Sequence, residues 1–393
     1  MKGTKTVLVT DAHRRIAVPI VRSLGRKGVK VIAADCTRWS PAFYSKYCAE
    51  KYVYPDPAKT PHLFIEWLLS HAKKGVFDIV FSITDLTMTP ITEYLDELSK
   101  YMLIPIVEHK TFMKAHDKSQ CLLVAQNLGI PCPKTLLPEN AAEAAQFASQ
   151  IPGTVVIKPR ISSGARGIVY VNDKEKLRLN YQDVDAEYPH PMLQEFIPPG
   201  GRAYGVEILM NRKSEPRAVF AHLRLREYPL SGGPSTLRES VKMPNLVEMS
   251  IKLLKAMNWY GVAMVEFKED PRNGNILLME VNPRFWGSIA LSIVSGVDFP
   301  YLLYKMSVDG DVEPVLDYQE GVRCRWLLPG DILHFLSNPN RFKLEPSFFQ
   351  FRAPNLYDDI IDKDDLGPLW GLALNFLSRI GKASLWRDLF FRG

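Results

Sequence analysis

The sequence predicts an α/β (α+β) protein built in several modules, and three observations carry that expectation. Residues 4–35 read as strand, helix, strand, with apolar β runs at 7–9 and 29–33 and with Ile16, Ile20, Val21 and Leu24 at helical spacing between them. Two apolar runs, 262–267 and 276–281, flank the turn-rich Asp270-Pro271-Arg272-Asn273-Gly274 and read as a β-hairpin. A further strand, 155–158, ends in Lys158 and opens into Ser162-Ser163-Gly164-Ala165-Arg166-Gly167. At 393 residues the chain exceeds one ordinary domain, so two to four modules around a large core are expected.

The opening βαβ unit places Asp35 at the end of its second strand, where a dinucleotide fold would hold a ribose. Its first turn, Thr10-Asp11-Ala12-His13-Arg14, contains no glycine, so the GxGxxG fingerprint is absent and a nicotinamide or flavin site is not expected. Asp11 and Asp35 then read as loop or substrate-edge residues. A helix at 61–73, a strand at 78–83, a helix at 89–98 and a strand at 102–107 complete a small parallel sheet. Asp85 follows the 78–83 strand, where open α/β sheets present functional groups and where a helix N-cap is equally at home.

Residues 111–128 read as one helix carrying Lys118, stopped by Gly129. An Ala-rich helix at 139–150 precedes the strand that ends in Lys158. The hydroxyl and glycine residues after it let backbone amides approach a phosphate, although no GK[ST] makes this a Walker A motif, and a plain turn is the alternative. The strand at 192–197 breaks at Pro198-Pro199-Gly200-Gly201, a hinge whose backbone could read an adenine edge. Val156 shares the parity of Lys158, and Leu278 that of Glu280, so both could wall the base or belong to the core.

Strands at 204–210 and 217–225 lead to Arg224 and Arg226, at like parity, before the flexible Ser231-Gly232-Gly233. With Arg238 they form the densest cationic group of the chain, suited to carboxylate or phosphate, with a solvated charged face as the alternative. A helix at 245–257 brings the chain to the hairpin. There, strand alternation sends Glu280 and Asn282 to one face and sets Glu266 opposite Glu280. Opposed carboxylates repel, so a cation between them is expected. An all-oxygen set suits Mg²⁺ completed by substrate phosphates, with Arg284 in reach of them.

Composition bounds the partners. Hydrophobic residues at 46% and charged residues at 23% describe a globular chain without repeats. The net charge of +6 arises from 49 basic against 43 acidic residues spread along the chain, which does not imply nucleic acid. Five cysteines without a CxxC pair suggest neither zinc nor a disulfide framework, and a reducing cytoplasm is the default expectation. The apolar run at 7–9 is too short for a signal peptide, and no later run approaches a membrane span.

Asp117-Lys118, VVIKPR (155–160), the Ser/Gly loop, LQEFI (193–197), MVEF (264–267) and LLMEVNPR (277–284) together resemble the ATP-grasp superfamily, in order and spacing, across residues 1 to about 305. Within it the chain is similar to carboxylate-amine ligases of the carbamoyl phosphate synthase large-subunit and biotin carboxylase type. The stretches at 232–241 and 282–300 are similar to a group of ATP-grasp enzymes whose substrates are largely unassigned. The resemblance implies a Rossmann-like pre-ATP-grasp domain (1–110), an ATP-grasp small subdomain (111–196), a large subdomain with the metal site (197–310) and a mainly helical C-terminal extension (311–393).

It also implies roles. Lys118 and Lys158, with Ser163 and Gly164, would contact ATP phosphates. Gln194, Glu195, Phe196 and Ile197 would meet the adenine edge between Val156 and Leu278, and Glu207 is the first acidic candidate for the ribose. Glu266, Glu280 and Asn282 would hold Mg²⁺, or Mn²⁺ in its stead. Arg284, Lys158 and Arg226 would act on the transferring phosphoryl group, and Arg224, Arg226, Ser231, Gly232, Gly233 and Arg238 on substrate. The implied chemistry joins a small-molecule carboxylate to an amine through an acylphosphate. A nucleotide-binding regulator without turnover and a bicarbonate-using carboxylase are the alternatives. Residues 367–393 carry an apolar stripe (Leu369, Ala373, Phe376, Leu377, Ile380) beside Trp370, Trp386, Phe390 and Phe391, suited to packing on the ligase or on a second subunit of a homodimer, or to an anionic membrane surface.

Overall fold

The computed structural model describes residues 4–162 and 166–381. Its N-terminal sheet is parallel and four-stranded, in the order Glu50–Val53, Val31–Asp35, Val7–Val9, Ile79–Phe81. Helix Ala17–Arg26 covers one face through Val18, Ile20, Val21 and Leu24, and helix Pro61–Lys73 covers the other through Phe64, Ile65 and Leu68. The strand expected at 102–107 is reduced to a single bridge between Leu103 and Ile79. Pro105 has no N–H to donate, so the ladder cannot continue there. The true fourth strand is Glu50–Val53, whose charged, half-exposed sequence hides an edge position. In the glycine-free first turn, Asp11 itself takes the left-handed conformation (φ +52°).

The helix read over 111–128 is two helices, His109–His116 and Lys118–Asn127. The break falls at Asp117, which turns extended and accepts from the backbone N–H of Ser119 and Gln120 as the N-cap of the second helix. A small antiparallel sheet follows, in the order Thr135–Leu136, Met192–Glu195, Val155–Lys158, Val169–Val171. Helices Ala141–Phe147 and Leu177–Glu187 back it.

The large sheet has seven strands, in the order Ile276–Asn282, Gly261–Glu269, Ala203–Met210, Pro216–Glu227, Ser235–Ser240, Arg323–Arg325, Leu356–Asp358. Val206, Ile208, Ala263 and Val265 face helices Pro244–Ala256 and Lys118–Asn127. Leu209, Phe220, Val262 and Met264 face the core shared with the N-terminal domain. The last two strands belong to the C-terminal extension, which therefore completes the large sheet besides supplying helix Gly367–Arg379.

An acidic segment then straps helix Ala17–Arg26. Arg22 donates to Asp365 Oδ2 (2.9 Å) and to the carbonyls of Ile360 and Asp365, and Arg26 pairs with Asp362 (2.5 Å). Helix Gly367–Arg379 closes on Pro41–Tyr44 by backbone approach. A Cβ at Gly367 would lie 1.7 Å from the Tyr44 carbonyl oxygen, so only glycine fits. That contact buries Pro368 and Gly371, whereas Phe376, Leu377 and Ile380 of the expected stripe, and Trp370 beside it, stay exposed. Trp386, Phe390 and Phe391 lie outside the described residues. Among the described residues no helix is long and apolar enough to cross a membrane.

Candidate active site

The hairpin forms with Glu266 directly opposite Glu280, as strand alternation predicts. Each carboxylate has its own cations. Arg224 Nη2 donates to Glu266 Oε2 (2.5 Å), and Lys118 Nζ lies 3.4 Å from Glu280 Oε2. Asn282 links the pair to the arginine beyond it: its Nδ2 donates to Glu266 Oε1 (3.0 Å) and its Oδ1 accepts from Arg284 Nη2 (3.0 Å). Burial alone would raise the Glu280 carboxyl, but Lys118 and Lys158 outweigh it and hold the group below its ordinary range. Burial pulls the Lys158 ammonium down, against the attraction of Glu280.

Arg284 is steadied from the N-terminal domain. Its Nε donates to Asp85 Oδ1 (3.0 Å) and its Nη1 to the Phe285 carbonyl (3.0 Å). Asp85 is the first residue of helix Asp85–Glu93, with Thr84 at the N-cap, so its side chain is spent on Arg284 and on His116, 3.7 Å away, instead of on capping. Burial works against the Asp85 carboxylate, yet Arg284 and His116 keep it below its ordinary value. Burial opposes the charge on Arg284 too, and Asp85, Glu280 and Glu266 overcome it. Asp117 anchors the lysine end. Arg160 Nη2 donates to its Oδ2 (2.6 Å), while Lys118 donates from its backbone N–H to the Arg160 carbonyl and from Nζ to the Ser162 carbonyl (2.6 Å).

The hinge strand is tied to its neighbours by side chains. Gln194 lies opposite Val156 and donates to Thr135 Oγ1 (2.9 Å), Glu195 is 3.6 Å from Arg272, and Phe196 meets Tyr170 edge to face. The Ile197 carbonyl accepts from Lys268 Nζ (3.0 Å), a contact to the hairpin that the sequence pattern did not single out. Ser163 and Gly164 lie outside the described residues.

Two β-bulges overturn parity assignments. Between Glu266 and Phe267 the register jumps from Glu280 to Leu278, so Leu278 shares a face with Phe267 and is buried in the helix-side core, not beneath Glu280. A second bulge sets Arg224 opposite Arg238 but Arg226 opposite Leu237. Arg226 therefore leaves the carboxylate face and is buried against Asp331 (2.8 Å) and the Pro346 carbonyl. Arg238 keeps the face of Arg224 but pairs with Asp359. The Ser231-Gly232-Gly233 turn stays beside Arg224, whose Nη1 is 3.5 Å from the Gly233 carbonyl. Glu207 does not reach the hinge. It lies opposite Met264, on the far side of Glu266 from Lys268, fully buried beside His222 (2.7 Å) and Ser288 (3.2 Å).

The donor types fit Mg²⁺: Glu266 and Glu280 stand opposite each other with Asn282 beside them and no thiol or imidazole in the set. Asn282, which turns its nitrogen to Glu266 and its oxygen to Arg284, would have to turn its amide over to offer oxygen to the ion. Among the described residues no group of three or more His, Cys, Asp or Glu side chains competes as a metal cage. Three sheets arranged in this way, with Lys158 from the small antiparallel sheet and Lys118 from the helix before it set at a carboxylate hairpin in the largest, have the architecture of the ATP-grasp fold. Residues 188–328 match the model of a family described as "ATP-grasp in the biosynthetic pathway with Ter operon". The carbamoyl phosphate synthase large chain of Sulfurisphaera tokodaii is 24% identical over 211 residues, 52% of this chain and 20% of that protein. The arginine-specific large chain of Bacillus subtilis is 25% identical over 226 residues, 53% of this chain and 21% of that one. The chain thus spans about a fifth of the length of the curated relatives it matches. Among solved structures, a biotin carboxylase–β,γ-ATP complex from Campylobacter jejuni superposes with a TM-score of 0.68 at 18% identity, over 81% of this chain and 74% of the other. N5-carboxyaminoimidazole synthetase from Staphylococcus aureus gives 0.64 at 15% identity, over 82% of each.

Proposed function

We propose that the chain is an ATP-dependent ligase that activates a small-molecule carboxylate as an acylphosphate and couples it to an amine. The observation that carries this reading is the convergence of Glu266, Glu280 and Asn282 with Lys118, Lys158 and Arg284. Phosphoryl transfer needs charge neutralisation and alignment more than acid–base groups, and these side chains supply both. A substrate carboxylate oxygen attacks the γ-phosphorus as the bond to the ADP oxygen breaks. The amine nitrogen then attacks the acyl carbon, phosphate leaves, and the nitrogen gives up a proton.

In this reading Lys118 and Lys158 bind the phosphates, and Arg284, held by Asp85, orients the group in flight. Glu266, Glu280 and Asn282 would hold Mg²⁺, or Mn²⁺, which neutralises phosphate charge. Gln194, Glu195, Phe196 and Ile197 would read the base. Free cysteines and ATP use suit the cytoplasm.

Incubation with ATP, Mg²⁺ and panels of acids and amines should release ADP only when both partners are present. Lys158→Ala should abolish the release, and full turnover in that variant would sink the assignment. ADP release that requires bicarbonate in place of another acid would turn the reading to a carboxylase.

A further inference from the structure

The sheet face that carries Glu266 and Glu280 continues across the strands to Arg224 and, directly opposite it, Arg238. Arg238 is fully buried. Its Nη2 binds Asp359 Oδ1, while Nε and Nη1 have no partner. Arg15, from the loop after the first strand, reaches the other Asp359 oxygen at 3.1 Å and the Ser235 carbonyl at 3.2 Å, with its guanidinium 4.1 Å from the centre of the Trp326 ring. The Nε of neighbouring Arg14 is also buried without a partner. Asp358 does not balance the group directly, because its carboxylate accepts the backbone N–H groups of Leu327, Ile360 and Ile361.

Asp359 thus bonds two guanidiniums, the fully buried Arg238 and the partly buried Arg15, with Asp358 adding attraction without a direct bond. Burial works against Arg238, yet Asp359 holds it above its ordinary value. Burial takes Arg15 down to about 10, against the pull of Asp359 and with repulsion from Arg238. Buried donors without acceptors and buried charge without a counter-ion are both costly, so such a group is a place where an anion gains more than it does in water. It also sits beside the chemistry. A Cβ at Gly287, three residues past Arg284, would lie 2.6 Å from Arg15 Nη2, so the chain that carries Arg284 runs against this guanidinium.

We propose that Arg15 and Arg238 bind a second anionic group of the acid substrate, so that the acid carries two anionic groups, as a dicarboxylate or a phosphorylated carboxylic acid does. This rests on the ligase reading, in which the first carboxylate is the one phosphorylated near Arg284. Arg15, supplied by the N-terminal domain, is then a specificity residue, and a monocarboxylate of equal length leaves its site unmatched.

Thermal unfolding of the full chain with Mg²⁺ and a nonhydrolysable ATP analogue tests this, comparing succinate with butyrate, glutarate with pentanoate, and phosphoglycolate with glycolate at equal ionic strength. At least one dianion should raise Tm by about 2 °C or more over its monoanionic partner. The carboxylate and phosphate arms separate the two sources of charge. Arg15→Gln should lose that difference while keeping the shift from the ATP analogue, and Arg15→Lys, which retains a cation, should keep part of it. Equal shifts within every pair, no response to any dianion, or a full difference in folded Arg15→Gln would overturn the proposal. Loss of the ATP-analogue shift in the wild type would instead strike the ligase reading itself.

Discussion

Glu280→Gln separates the two roles of this carboxylate. Without nucleotide Glu280 neutralises Lys118, 3.4 Å away, and the buried Lys158. Removing its charge leaves Lys158 to Glu266, which Arg224 already engages, and Lys118 to Asp85, which Arg284 already engages. Deleting one partner of a fully buried ion pair costs about 3–5 kcal/mol. The Glu280 side chain is 29% exposed, so solvent screening brings the expected cost nearer to about 2 kcal/mol. For a chain of 393 residues, at about 1 °C per kcal/mol, the variant should melt about 2–3 °C below the wild type. The same change should make nucleotide binding less dependent on metal. An ATP analogue without Mg²⁺ brings its own negative charge to the two lysines, so it should stabilise the variant more than the wild type, and added Mg²⁺ should then contribute little. Differential scanning fluorimetry with the analogue, with and without Mg²⁺, reads both effects. An unchanged melting temperature together with an undiminished Mg²⁺ requirement would refute the reasoning, because Glu280 would then be neither the counter-ion nor a metal ligand.

Two further outcomes follow from charges outside the hairpin. Arg22 is buried and bonds Asp365, which also accepts from Ser45 Oγ (2.6 Å) and the Lys46 N–H (2.9 Å), so Arg22→Ala strands a buried carboxylate. A loss of about 3 kcal/mol and a Tm lower by about 4 °C are expected for a chain of this length. A double-mutant cycle with Asp365→Ala should show strong coupling, and additive losses would exclude the strap as the cause. Burial opposes the Asp117 carboxylate, but Arg160, Ser119 and Gln120 hold its pKa down at about 2. A depressed pKa contributes stability that is complete above the unfolded value near 3.9 and is lost as pH falls toward the folded value, here about 2 kcal/mol. Denaturant midpoints measured from about pH 5 down to about pH 2.5 should therefore fall less steeply for Asp117→Asn than for the wild type. Parallel slopes would count against that account.

What could be read from the sequence was local in the chain. Glu266 and Glu280 belong to one hairpin, so alternation about a short turn was enough to pair them, and Lys158 ends an unbroken apolar strand. Parity failed where a bulge intervened, since the extra residues, Met279 and Leu225, are apolar and leave no mark in a hydrophobic pattern. Leu278 and Arg226 were carried to the wrong face by that one-residue slip. The remaining misses are pairs whose members lie far apart: Arg284 with Asp85 across 199 residues, and Arg15 with Asp359 across 344. Neither member is unusual where it stands, for an aspartate after a strand reads as a cap and an arginine in a loop reads as solvated. Their meaning comes from desolvation, which makes the cost of an unpaired charge large enough to dictate a partner, and burial of that kind exists only once the N-terminal sheet, the large sheet and the C-terminal strap have met. The strap supplies those partners for the N-terminal domain, since Asp359 pairs with Arg15 as well as with Arg238, and Asp365 with Arg22. Through these pairs the C-terminal extension holds Arg15 beside Gly287, on the side of the sheet where we propose that the acid binds.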